Sequence, residues 1–152
     1  MLVRLGLGLL ALGALGACDG AVAIDWRVEI VDDGLRASTR VVQARIARGP
    51  CPAPSGATEI YLAEVTRPNQ PAGEGLMPLT PGDWCFSARG RNAACEWTTE
   101  GFATVTVSEA GTVVVDPGAL SADMRTVVLR LEAATVVAAC PTDVCTSGVC
   151  GG

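Results

Sequence analysis

The chain has no histidine, and all eleven of its basic residues are arginine. Without histidine or lysine it cannot assemble a Ser-His-Asp or Cys-His relay, a Ser-Lys pair or a Schiff-base lysine. Only carboxylate chemistry is left open to an enzyme. Aromatic residues are scarce too: three Trp, one Tyr and two Phe. No internal repeat is present, and no block of like charge marks a disordered arm. The arginine-only basic set looks like the bias of a GC-rich genome, because either cation serves to solubilise a surface.

Acidic residues number sixteen in 152, a length that suits one domain of ordinary size. If Met1 to Ala17 are removed as a leader, ten Arg stand against those sixteen acids. Such a surface repels nucleic acid, which is excluded as a partner.

The amino-terminal segment carries Arg4 and then an unbroken run of Leu, Gly and Ala from Leu5 to Ala17. As a helix, these thirteen residues rise only about 20 Å, short of the roughly 30 Å hydrocarbon core of a bilayer. The run therefore reads as the signal helix of an export leader. It ends Leu15-Gly16-Ala17-Cys18, which resembles the lipobox of bacterial lipoproteins: an aliphatic residue, two small residues, then the acylated cysteine. The resemblance implies a lipid on Cys18, a diacylglyceryl group with a further acyl chain such as palmitate on the new amino terminus. Two or more chains, at about 0.8 kcal/mol per buried CH₂, make a stable anchor where one would be marginal. Asp19 resembles the inner-membrane retention signal of enteric lipoproteins, a rule that does not transfer between bacteria and leaves the membrane open. The competing reading is an ordinary secreted protein cut after Ala21-Val22-Ala23, with the mature chain beginning at Ile24.

The expected organisation is a signal peptide over 1–17, a lipidated tether over 18–23, a β domain over 24–133 and a cysteine-rich tail over 134–152. Ile24, Trp26, Val28 and Ile30 alternate with charged residues, the period of a half-buried strand. Asp32-Asp33-Gly34 reads as a turn. Thr39 to Ala47 suits either a strand or a short helix, and its β-branched residues favour the strand. Further strands are expected over Thr58–Val65, Asp83–Arg89, Ala94–Thr98, Phe102–Ser108, Thr112–Val115 and Arg125–Glu132. The connections are a loop over Arg67–Pro78, a reversal at Gly90-Arg91-Asn92 and a hairpin turn at Glu109-Ala110-Gly111, with at most a helical turn over Gly118–Met124. Seven or eight short strands punctuated by turns predict an all-β fold, a single antiparallel β-sandwich. Leu79-Thr-Pro-Gly-Asp-Trp84 resembles the turn into an aromatic strand found in immunoglobulin-like and fibronectin-like modules, an architecture that hosts many functions.

Seven cysteines favour an oxidising compartment. With Cys18 reserved for lipid, Cys51, Cys85, Cys95, Cys140, Cys145 and Cys150 remain for disulfides, with fifteen possible connectivities. Three lie in the body and three in the tail, so complete pairing needs one or three bridges between them. One such bridge, one in the body and one in the tail is the expected pattern, and a hairpin register around Gly90-Arg91 could set Cys85 opposite Cys95. The tail Cys140-x₄-Cys145-x₄-Cys150 lacks the C-x₂-C and His of zinc sites, so structural disulfides are favoured over metal. It also lacks the C-x-x-C of redox enzymes. The tail resembles the short cysteine-rich ends of many secreted proteins from GC-rich Gram-negative bacteria, which implies no activity.

Other candidates are weaker. Trp26, Trp84, Trp97, Phe86, Phe102 and Tyr61 could form a sugar-stacking platform, but a small core would take most of them, with Trp97 the expected exception beside its turn. Asp32 and Asp33 lack the D-x-D-x-D-G context of a calcium loop. Arg36, Arg40, Arg45 and Arg48 read as a solvated strand face rather than a site for an acidic polymer. Glu96 and Glu100 are a conceivable carboxylate pair.

These readings lead to an envelope protein lipid-anchored to the outer or inner membrane, on its periplasmic face or at the cell surface. Its expected role is non-enzymatic binding or support, without cofactor or metal, toward an envelope or extracellular protein or glycan. The alternatives are a carboxylate-dependent hydrolase of envelope polymer and a secreted inhibitor or ligand-binding module released after Ala23.

Overall fold

The alternation after Ala23 becomes strand β1 (Asp25–Ile30), with Trp26, Val28 and Ile30 buried and Asp25 and Arg27 exposed. In the computed structural model, residues 20–67, 69, 77–118 and 126–151 are described. The leader, Cys18, Asp19, most of the Arg67–Pro78 loop and most of Gly118–Met124 lie outside them.

Asp32-Asp33-Gly34 does not simply turn the chain; it starts a short helix, α1 (Asp33–Ser38). Asp32 is the cause, since its Oδ1 accepts the Leu35 N–H at 2.8 Å and so caps the helix. Asp33 adds a negative charge in the first turn, where the backbone dipole favours it. The Thr39 hydroxyl closes the other end on the Leu35 carbonyl at 2.7 Å.

The ambiguous segment that follows is strand β2 (Val41–Arg48), which buries Val42, Ala44 and Ile46. Strands β3 (Glu59–Thr66) and β4 (Gly82–Arg91) come next. Gly90 is inside β4 rather than at a reversal, because a Cβ there would lie 2.5 Å from Thr99 Oγ1 and 2.9 Å from Thr39 Cγ2. This glycine marks close packing. The reversal is made by Asn92, whose Oδ1 accepts the N–H groups of Ala94 and Glu96, both at 3.0 Å. The two strands expected next are one, β5 (Glu96–Val107). It returns through the Glu109-Ala110-Gly111 turn, closed by Ser108 and Thr112, into β6 (Val113–Asp116). Strand β7 (Thr126–Ala138) runs beyond its expected end at Glu132, and a small hairpin of β8 (Cys145–Thr146) and β9 (Val149–Cys150) closes the tail.

The seven long strands form one sheet in the order β1-β7-β5-β4-β2-β3, with β6 also beside β5. Every pairing in it is antiparallel except β1 with β7, which is parallel. The all-β class is as expected, but hydrogen bonding makes one continuous curled sheet with a parallel pair, not two wholly antiparallel layers. The curl begins at Gly101. The first part of β5 pairs with the second part of β7, while its last residues pair with β6. At the parting, a Cβ on Gly101 would sit 2.2 Å from the Arg130 carbonyl oxygen. Strand β7 then carries β1 over the inner face of the sheet. Trp26 of β1 accordingly meets Tyr61 of β3 edge to face at 4.9 Å and Phe86 of β4 at 6.4 Å, across the core rather than along the sheet. Each fully buried large apolar side chain there contributes roughly 1.5–3 kcal/mol relative to exposure.

Three disulfides join Cys51 to Cys85, Cys95 to Cys145 and Cys140 to Cys150: one in the body, one from body to tail and one in the tail. The Cys85–Cys95 pairing fails on register. Cys85 lies opposite Thr104 in mid-strand, while Cys95 stands in the turn at φ 57°.

The fold has two distinct poles. Val22 exchanges backbone hydrogen bonds with Leu79, both at 2.8 Å, so the amino-terminal segment enters beside the start of β4 and the β5–β6 turn. The tail packs at the far end of β4, with Gly148 against Arg40 and Asn92. The ten residues of β4 put roughly 33 Å between these ends.

Candidate functional site

Side chains alternate across a strand, so the buried rows of β2, β3, β4 and β5 leave a complementary set on the outer face. Strand register aligns that set into rows. Leu62, Arg45, Ser87 and Phe102 form one, and Glu64, Gln43, Arg89 and Glu100 form the next. Arg91 lies opposite Trp97 beyond them.

Hydrogen bonds tie Glu64, Gln43 and Arg89 of the second row to one another and to Arg91. Arg91 is only 3% exposed and donates through Nη1 and Nη2 to the two carboxylate oxygens of Glu64, at 3.0 and 2.7 Å. Its Nε donates to the Gly148 carbonyl in the tail. Glu64 also accepts from Gln43 Nε2 at 2.9 Å, and Gln43 Oε1 accepts from Arg89 Nε at 3.2 Å. The guanidiniums of Arg89 and Arg91 lie over the Trp97 ring, at 4.2 and 5.1 Å from its centroid.

A groove of about 460 Å³ runs over this face, lined by Gln43, Arg45, Ser87, Arg89, Phe102 and the Cys51–Cys85 disulfide. That volume and its mixture of apolar wall with a few polar groups suit a small-ligand site. A second cleft, about 780 Å³, opens on the other side of β5, where β7 departs from it. Phe102 and Glu100 line both.

The residues singled out from sequence fall as follows. Trp26, Trp84 and Phe86 are core, and Tyr61 is partly buried, which raises its phenol above the ordinary value. Trp97 is half-buried under its two arginines, and the aromatic that actually faces solvent is Phe102, at 57%. No stacking platform of several rings is assembled among the described residues. Asp32 caps α1, and Asp33 pairs with Arg36. The four arginines do not converge: Arg45 pairs with Glu59, and Arg48 donates to Thr80 Oγ1 and the Pro81 carbonyl while covering Trp84. Arg40 sits at the opposite end of β2 from Arg48.

Glu96 is held by Asn92 Nδ2 at 2.8 Å, and its position is about 13 Å along β5 from Glu100. The acid directly opposite Glu100 is instead Glu132, which also lines the second cleft. The sulfurs of Cys95, Cys140 and Cys150 converge within 4.8 Å of one another, yet each is bonded to another cysteine in a disulfide. The lipidation candidate Cys18 lies outside the described residues. No described helix is long and apolar enough to cross a membrane.

Sequence reading overlooked Gln43, Glu64, Ser87, Arg89 and Arg91. Alternation shows that they face outward, but only register shows that they are neighbours. No family model matches this chain, and no curated protein or solved structure is significantly similar to it.

Proposed function

We propose that this chain is a lipid-anchored protein of the bacterial cell envelope, held at a membrane through Cys18, that binds a partner without catalysis. The observation that carries the anchor reading is Val22. It is 6% exposed, belongs to the core and makes two backbone hydrogen bonds to Leu79. Cleavage after Ala23 would discard that residue and both bonds, whereas cleavage before Cys18 keeps them. Three disulfides accord with a compartment outside the cytoplasm. With the tether entering at one pole, the tail pole and the outer face of β2, β4 and β5 are free to meet an envelope or extracellular protein or glycan. We read the curled sheet as a sandwich-like module of general immunoglobulin or fibronectin type, supported by the packing of β1 across the inner face. Whether the membrane is the inner or the outer one turns on Asp19 and the host's sorting machinery.

Membrane fractionation tests this. The native chain should partition with the membrane, and Cys18→Ala should leave it unprocessed or release it, with the same three disulfides. A native chain found wholly in the soluble fraction would contradict the proposal and favour the secreted module.

One observation favours a second reading, the carboxylate-dependent hydrolase. Glu100 and Glu132 face each other across β5 and β7, where like charges ordinarily destabilise a sheet, and both line the second cleft. Directly opposed positions set the two Cβ atoms roughly 4.5–5.5 Å apart, from which the carboxyls can reach the roughly 5–10 Å spacing that glycoside hydrolysis uses. Hydrolysis of envelope polymer that Glu100→Gln and Glu132→Gln each abolish would establish this reading against binding alone.

A further inference from the structure

We infer that the groove on the outer face binds an acidic saccharide, with Arg89 taking its carboxylate and Phe102 stacking on its ring. The inference rests on the binding role proposed above and assigns the ligand class.

Arg27, Arg36, Arg45, Arg91 and Arg130 each face a carboxylate of this chain. Arg89 does not. Its one hydrogen bond among the described residues runs from Nε to Gln43, so neither terminal nitrogen has an acceptor. The guanidinium is nonetheless held in place. Trp97 supports its face, Gln43 holds Nε, Glu64 holds Gln43, and buried Arg91 holds Glu64. Ordering an arginine on binding costs free energy, and here that cost is met on folding. The two unengaged nitrogens form a fork that matches a carboxylate.

The other groups fit a sugar. Phe102 offers an exposed apolar ring on the groove wall, with the Ser87 hydroxyl opposite it in register and Glu100 beside the groove as an acceptor for hydroxyl groups. A peptide is a poorer occupant. Peptides that dock on sheets gain main-chain hydrogen bonds at an edge, whereas β2, β4 and β5 are interior strands already paired on both sides. Nucleic acid needs several phosphate contacts, and this groove has one unpaired guanidinium on a chain of net charge −5.

The test is a titration of the isotope-labelled chain, followed by amide NMR, with three probes: oligogalacturonate, its fully methyl-esterified form and oligoglutamate. Oligogalacturonate should shift the amides of Gln43, Ser87, Arg89 and Phe102, and the ester should bind at least about tenfold more weakly. Arg89→Gln and Phe102→Ala should each weaken acid binding by a similar factor, with Arg89→Lys in between because it keeps the charge but loses the fork. Arg27→Gln, which removes a cation outside the groove, should change nothing. Equal binding of acid and ester, or undiminished binding in Arg89→Gln, would overturn the carboxylate assignment. If the ester still bound in the groove with sensitivity to Phe102→Ala, the binding role would stand without it. Oligoglutamate binding as tightly as the uronate would overturn the saccharide assignment in favour of a peptide. Groove amides unmoved by every probe would overturn the inference and count against this face as the binding surface.

Discussion

Glu64 accepts from both terminal nitrogens of Arg91, and Arg91 in turn holds the Gly148 carbonyl, so edge strand β3 and the cysteine-rich tail share one buried guanidinium. The partners are unequally buried, with side-chain exposures of 3% for Arg91 and 40% for Glu64. Removing Glu64 therefore strands a charge inside the protein, while removing Arg91 leaves a carboxylate that water can reach. Glu64→Ala is expected to cost about 3 kcal/mol and Arg91→Met about 1–2 kcal/mol. Urea unfolding of the two variants measures this, and the reverse order would contradict the assigned burial.

The disulfides close loops of different length, with sequence separations of 34, 50 and 10 for Cys51–Cys85, Cys95–Cys145 and Cys140–Cys150. The chain-entropy relation gives about 3.8, 4.1 and 2.7 kcal/mol respectively. Replacing Cys140 and Cys150 together by Ser should lower the melting temperature least of the three paired replacements. A larger loss there than for the Cys51–Cys85 pair would mean that the tail is more than a local clasp.

Gly101 is expected to be intolerant of any side chain. Gly101→Ala drives a Cβ into the Arg130 backbone, where nothing flexible can yield, and should cost about 3 kcal/mol. Gly56→Ala is the comparison: nothing lies within 4 Å of its Cβ, and only its φ of +77° resists substitution, at about 1 kcal/mol. Thermal unfolding should separate the two variants clearly, and equal losses would move the origin of the curl away from Gly101.

Tyr61 is the single tyrosine, so its ionisation can be followed by ultraviolet absorbance without interference. Partial burial raises its pKa above the ordinary 10.0. Folding thus favours the neutral phenol, and this stabilisation is complete below pH 10.0 and fades as pH rises through the higher folded value. Tyr61→Phe should lose less stability than the parent chain on passing into that alkaline range. An ionisation at or below the ordinary value would contradict the packing of Tyr61 against Trp26.

Much of the fold is legible in the sequence where one local pattern has one meaning. Trp26, Val28 and Ile30 alternate and are buried as alternation requires, and the parity of the cysteines restricts the body-to-tail bridges to one or three, of which there is one. Legibility fails where a residue type has two uses. Asp32-Asp33-Gly34 encodes a turn and a helix cap equally well, and Gly90 and Gly101 resemble breaks although both mark backbones in close approach. The parallel pairing of β1 with β7 joins segments about a hundred residues apart, for which no local signal exists. The site is hidden for a related reason. Arg89, Gln43, Glu64 and Arg91 lie on three strands and become neighbours only through register, and Phe102 differs from Phe86 by its outward face alone.

On the proposal above, Cys18 carries lipid while the other six cysteines are paired in disulfides. Intact mass spectrometry of the chain purified from its native membrane, before and after thiol alkylation, tests both parts at once. The expected mass is that of a chain beginning at Cys18, heavier by a diacylglyceryl group and an amide-linked acyl chain, with no alkylation until reduction. An unacylated chain beginning at Ile24, or one that takes up alkylating reagent without reduction, would contradict it.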